Sequence, residues 1–289
     1  MREHAVEAGD GRKLAVVERG DPGGTPVVFH HGTPGSRLGR HPDDAVYEGV
    51  RAIFYDRPGY GRSDPLPGRA VATAAADTAA IADALGVEEF AVEGTSGGGP
   101  HALACAAVLG GRVTRVAVVV GAGPSDDPEL DFQAGMNELN RAELGAAFEG
   151  AAALEAFLDP FAERTRTDPN ALVEELAATV PAADQAVMAR PEVRAVLVES
   201  FAESVRQGVR GWADDDLAFV RPWGFELGAV RQEVRLWQGE LDVLVPRAHA
   251  EYLQSKLPRA RFELVPNAGH MLVDETIDVI RWLVADQAR

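Results

Sequence analysis

The sequence predicts an α/β fold: a mostly parallel sheet flanked by helices and interrupted by one all-helical segment. Two observations carry this. Short apolar runs alternate with helical patterns at both ends of the chain, and between about Pro124 and Gly211 the strand signal stops. The runs "TPVVFHHG" (25–32), "RAIFYDRPG" (51–59), "FAVEG" (90–94), "VTRVAVVVG" (113–121), "VRLWQG" (234–239) and "RFELVP" (261–266) read as strands. Those near the middle are apolar on both faces, as strands buried between helix layers are. Helices are predicted over 71–85, 97–109, 247–256 and 273–285. The N-terminal stretch alternates around a turn-forming "GDG" and reads as a hairpin that adds antiparallel edge strands.

The interrupting segment is amphipathic. Leu154, Phe157, Leu158 and Phe161 fall at helical spacing, and Val193, Val196, Leu197 and Phe201 repeat that stripe. The expected organisation is a core of residues 1–123 and 212–289 with a helical cap, 124–211, inserted in it. A chain of 289 residues suits one such large domain.

Composition narrows the function. A formal net charge of −17 argues against binding nucleic acid or an anionic membrane through bulk electrostatics, and the acid balance reads as serving solubility. The single cysteine, Cys105, excludes an intrachain disulfide and a cysteine-based zinc site, and reads as a small buried apolar residue. No run approaches the roughly 20 apolar residues of a membrane span, and no secretory leader is evident, so a cytoplasmic location is expected.

Chemistry concentrates in "EGTSGGGP". A phosphate-binding P-loop would need a lysine there, and a dinucleotide fingerprint starting at Gly94 would need its second glycine where Ser96 stands. "GAGPSD" (121–126) has two of those glycines but leads into the helical segment, and is only a weak match. Gly94-Thr95-Ser96-Gly97-Gly98 does satisfy G-x-S-x-G, with a strand before and a helix after, the setting of an exposed nucleophilic serine. Such a serine needs a base, and the base an orienting carboxylate. Of the seven histidines, His270 in "VPNAGHM" occupies the loop after the last strand. In "GELDVLVP", Asp242 is the preferred carboxylate and Glu240 its competitor. The order Ser96, Asp242, His270 is that of α/β-hydrolases.

With "HHGTPGSR", "DRPGYGRSD", "GTSGGG", "GELDVLVP" and "NAGH" in the family's order, the chain resembles an α/β-hydrolase-fold protein with a helical cap, over nearly its whole length. The resemblance implies an oxyanion hole formed by the backbone N–H groups of Gly97 and Thr33, since Pro34 has none to give. His31 and Gly32 are expected to shape that loop, Gly32 by allowing close backbone approach, and Asp56, Arg57 and Asp64 to have structural roles. Pro34, Thr95, Met271 and Leu272 are candidate pocket residues.

Relatives with an aspartate nucleophile, the epoxide hydrolases and haloalkane dehalogenases, are disfavoured by Ser96. Proline iminopeptidases resemble the first loop but usually carry tryptophan where Gly97 stands. The leading expectation is a serine hydrolase of small to medium apolar esters, lactones or thioesters, with no metal or organic cofactor. The alternatives are a proline-iminopeptidase-like aminopeptidase, a C–C bond hydrolase or cofactor-free haloperoxidase-like enzyme, and a non-catalytic small-molecule binding protein.

Overall fold

The computed structural model describes residues 1–285. A hairpin of β1 (Arg2–Glu7) and β2 (Lys13–Gly20) opens the chain. β3 (Thr25–His30), β4 (Val50–Tyr55), β5 (Phe90–Thr95), β6 (Val113–Val119), β7 (Glu233–Gly239) and β8 (Ala260–Val265) follow. All eight form one sheet in the order β1-β2-β4-β3-β5-β6-β7-β8. β1 and β2, and β2 and β4, pair antiparallel; every other pairing is parallel.

β3, β5 and β6 are apolar on both faces because helices cover both. On one side α1 (Thr73–Ala84), α2 (Gly98–Leu109) and α9 (Ala248–Lys256) shield a cluster containing Val28, Ile53, Val92, Leu103 and Leu236. On the other, α10 (Thr276–Val284) covers Phe29, Phe54, Ala91, Ala117 and Trp237. α10 begins at Thr276, three residues later than its sequence pattern suggested.

Between β6 and β7 the chain forms six helices: α3 (Glu138–Glu149), α4 (Ala151–Thr167), α5 (Ala171–Ala177), α6 (Ala182–Met188), α7 (Pro191–Ser204) and α8 (Arg210–Phe219). They pack round their own apolar cluster, with Leu154, Leu158, Met188 and Trp212 inside it. α8 crosses the expected boundary at 211 and runs on to Phe219, because its buried face continues through Trp212, Leu217 and Phe219. No helix among the described residues is long and apolar enough to cross a membrane.

Candidate active site

The loops that leave β3, β5, β7 and β8 all emerge at the carboxyl end of the parallel strands, where side chains of distant sequence position can converge. Ser96 follows β5 directly and is held at φ 53°, a left-handed conformation that non-glycine residues adopt only under constraint. The constraint is visible. Ser96 N–H donates to Val119 O at 2.8 Å, and Gly99 N–H donates to Ser96 O at 2.9 Å, so strand and helix fix the turn from both sides. The turn closes only because its flanks lack side chains. A Cβ on Gly94 would lie 2.2 Å from Gly98 O, and one on Gly98 would lie 2.0 Å from His30 O. The expected close approach at Gly32 is not there: a Cβ on it would make ordinary contact, 3.5 Å from Ser96 Cβ. The tight crossing falls at Gly98, where the start of α2 abuts the backbone of His30 and His31 as the chain leaves β3.

His270 lies beyond β8, and its Nδ1 is 2.8 Å from Asp242 Oδ2. Asp242 also accepts from Gln238 Nε2 at 2.9 Å and from the N–H groups of Leu244 and Val245 at 2.9 and 3.0 Å. Four donors therefore lock the carboxylate, and the carboxylate fixes the imidazole with Nε2 as its free nitrogen. Burial alone would lower the His270 pKa, but the Asp242 charge outweighs it and holds the ring above its usual value. Glu240 does not compete. It is exposed and, among the described residues, accepts only the Asn267 N–H, at 2.9 Å.

His31 and His101, also near the site, are unsuited to base duty. Burial and the nearby Arg57 charge push His31 well below its usual pKa and His101 down to about 3. Ser96 and His270 line the same cavity of about 370 Å³, but no hydrogen bond joins them. Catalytic hydrogen bonds of this kind often tighten only when substrate binds. Among the described residues, neither Thr33 N–H nor Gly97 N–H has an acceptor. Pro34, Thr95, Met271 and Leu272 all line the cavity, as do Phe157, Phe161, Leu197 and Phe201 of the segment between β6 and β7.

The first loop is held by a buried charge cluster that sequence reasoning assigned only in outline. Arg57 is 1% exposed, and its guanidinium donates to the carbonyls of His31 and Gly32 and to Thr33 Oγ1. It pairs with Asp215 of α8, which also accepts from Thr33 Oγ1 and Tyr60 Oη, both at 2.8 Å, and pairs with Arg69 at 2.8 Å. Burial opposes the Asp215 charge, yet Arg57 and Arg69 hold its pKa far below the carboxylate range. Asp215→Asn would leave two buried guanidiniums short of a counter-charge. It is expected to destabilise the fold by about 3–5 kcal/mol, readable as a lower denaturant midpoint at unchanged slope.

A second carboxylate was not anticipated at all. Asp184 on α6 is buried; its Oδ2 accepts His270 N–H at 2.9 Å and its Oδ1 accepts Met271 N–H at 2.8 Å. It clamps the backbone on both sides of the imidazole, and Gly269 leaves room for it, since a Cβ there would lie 2.1 Å from Asp184 Oδ2. An asparagine can accept only one of these bonds and turns its own amide against the other donor. Asp184→Asn is therefore expected to lower kcat roughly 10²-fold through misplacement of His270. KM for a short ester should change far less, and thermal melting should separate this from unfolding. Its sequence signal was one acid in a short helix, whereas Asp215 stood in "WADDDLAF", three acids inside an otherwise buried stripe.

The comparisons with known proteins agree with this architecture. The family model described as alpha/beta hydrolase fold matches residues 25–276, and the chain belongs to that family. A non-heme chloroperoxidase of Streptomyces lividans is 40% identical over 128 residues, 41% of this chain and 44% of that protein, so the chain spans under half of that relative's length. A 2-hydroxy-6-oxononadienedioate/2-hydroxy-6-oxononatrienedioate hydrolase of Cupriavidus pinatubonensis is 23% identical over 277 residues, 91% of this chain and 86% of the relative. Among solved structures, the esterase RhEst1 from a Rhodococcus species superposes with a TM-score of 0.69 at 21% identity, covering 98% of this chain and all of that one.

Proposed function

We propose that this alpha/beta hydrolase is a serine hydrolase that cleaves carboxylic esters, or the related lactones and thioesters, of small to medium substrates through an acyl-enzyme. Ser96 attacks the carbonyl carbon as His270 Nε2 takes its proton. Asp242 stabilises the imidazolium, and the Thr33 and Gly97 amides stabilise the oxyanion. The imidazolium then protonates the leaving alkoxide. Water, activated in turn by His270, releases the acid and restores Ser96.

The observation that carries this reading is the buried His270–Asp242 pair, its carboxylate held by three further donors, on the cavity that Ser96 enters from a constrained turn. The cavity also bears on substrate. Its walls are mainly apolar, and the one arginine on them, Arg40, is already engaged by Glu199 and Leu38 O, at 2.7 and 2.8 Å. Nothing there answers a dicarboxylate such as the substrate in the Cupriavidus relative's name. The peptidase reading is also disfavoured: a side chain at Gly97 would run 2.3 Å from Thr33 Oγ1, so no tryptophan fits there.

A fluorophosphonate probe and a panel of p-nitrophenyl esters of graded chain length test the proposal together. Stoichiometric labelling at Ser96 with turnover of short and medium esters is the expected result. Failure to label would favour a binding role, and labelling with an aminoacyl anilide as the preferred substrate would favour a peptidase.

A further inference from the structure

β5 carries a residue that its surroundings do not explain. On the α10 side of the sheet, its register partners are Phe29 on β3 and Ala117 on β6. Both belong to the apolar cluster that also holds Phe54, Tyr47 and Ile280. In that layer stands Glu93, 7% exposed, three residues before Ser96. Its one hydrogen bond comes from Thr95 Oγ1, at 2.5 Å to Oε1. Among the described residues, no arginine, lysine or histidine pairs with it. Arg40 and His41 share the cavity wall, but Arg40 is bound to Glu199 and the ring of His41 to the Asp43 backbone.

A carboxyl in an apolar layer without a counter-charge is costly, and among the described residues only the Thr95 hydroxyl offsets that cost. Yet Glu93 is not sealed in. It lines the cavity that contains Ser96, along with Phe29, Phe54 and Ile280, so an apolar arm extending from a carbonyl at Ser96 can run along these side chains to the carboxyl. Glu143 and Asp216 also line the cavity, but burial pushes both carboxyls up and Glu143 raises Asp216 further, so the demand for a counter-charge arises from the surroundings of Glu93 and not from theirs.

Building on the esterase reading of the site, we propose that Glu93 is the recognition group for a substrate arm that is apolar along its length and ends in a protonated amine. The ammonium would supply the missing counter-charge and a charge-assisted hydrogen bond to the oxygen that Thr95 leaves open. Burial pushes the Glu93 pKa up to about 7, with the Thr95 hydrogen bond opposing, and Tyr47 is the titratable side chain beside it. The free carboxyl therefore loses its charge as the pH falls through about 7. KM for an amine-ended ester should rise over that range, and KM for a methyl-ended one should not follow it.

The test uses straight-chain acyl methyl esters that end in ammonium, hydroxyl, methyl or carboxylate, followed by acid release. The wild-type protein should prefer the ammonium-ended ester over its methyl-ended match. Glu93→Leu should cut that preference roughly 10- to 100-fold, the range for a hydrogen bond to a charged group. The isosteric Glu93→Gln should cut it nearly as far. A preference that survives in Glu93→Gln but not in Glu93→Leu would show a neutral hydrogen bond and overturn the ammonium assignment. A preference untouched in both, or absent from the wild type, would overturn the proposal outright. Calorimetric binding of the ammonium-ended ester to Ser96→Ala and to Ser96→Ala/Glu93→Gln decides the same question without turnover. If Ser96 proves dispensable for hydrolysis, that fault lies with the proposed chemistry, and the binding difference still judges Glu93.

Discussion

Ser96→Ala is expected to lower kcat for ester hydrolysis by about 10⁶-fold, the loss seen when a serine nucleophile is removed from such a machinery. The folded state should hardly change. Among the described residues Ser96 Oγ has no hydrogen-bond partner, so its removal leaves no donor or acceptor stranded. The backbone makes a second, separable statement. At φ 53° alanine inherits the same strain as serine, whereas glycine does not. Ser96→Gly should therefore be as inactive as Ser96→Ala but melt higher, by an amount reflecting about 1 kcal/mol of relieved strain. Activity within tenfold of wild type in Ser96→Ala would remove the nucleophile assignment. Equal melting of the two variants would show that the turn is held without cost.

What the sequence could and could not disclose divides along sequence distance. The sheet was legible because buried parallel strands are written as contiguous apolar runs, and the turn at Ser96 because its steric demands fall on Gly94 and Gly98, close in sequence. His270 and Asp242 could be nominated because each follows a strand, and connecting loops collect at one end of a parallel sheet. Asp184 gives no comparable sign. Its partners lie 86 and 87 residues away, and its job is to accept backbone N–H groups, which nearly every residue possesses. Arg57 was visible as part of "DRPGYGRSD", but its counter-charge Asp215 lies 158 residues on, in a helix whose packing against that loop is a tertiary fact. Glu93 stands beside the nucleophile motif without a sign of its own, because alternation along a strand does not tell whether the layer it faces is solvent, core or cavity.

These long-range carboxylates give the helical segment a place in the chemistry beyond covering it. Asp184 and Asp215 both come from helices between β6 and β7, and they grip the His270 loop and the Thr33 loop respectively. A change in how that segment seats would move the proposed base and the proposed second oxyanion donor together. Variants that loosen its core, such as truncations at Leu158 or Met188, are thus connected to kcat as well as to substrate preference.

Asp242→Asn is expected to lower kcat by on the order of 10⁴-fold, since an asparagine favours the wrong imidazole tautomer. The hydrogen bonds dictate why. The substituted side chain could still accept the Leu244 and Val245 N–H groups through its one carbonyl oxygen, but its amide nitrogen would then meet Gln238 Nε2 and His270 Nδ1, which in the native protein donate to Asp242 Oδ2. His270 would resolve the clash by moving its proton to Nε2, leaving Ser96 opposite a donor instead of a base. The pH profile adds a signature that simple disruption lacks. In the native protein the Asp242 charge holds the His270 pKa above its usual value against the effect of burial, and the proposed hydrolysis needs the neutral ring. Activity should therefore rise with pH as His270 loses its proton. Without the carboxylate the ring deprotonates at lower pH, so the acid limb should shift downward even as the plateau falls. Glu240 supplies the control: exposed and bonded only to the Asn267 N–H, it should tolerate Glu240→Gln with little loss. If Glu240→Gln proves the more damaging of the two, or the acid limb of Asp242→Asn stays in place, the orienting carboxylate is not Asp242.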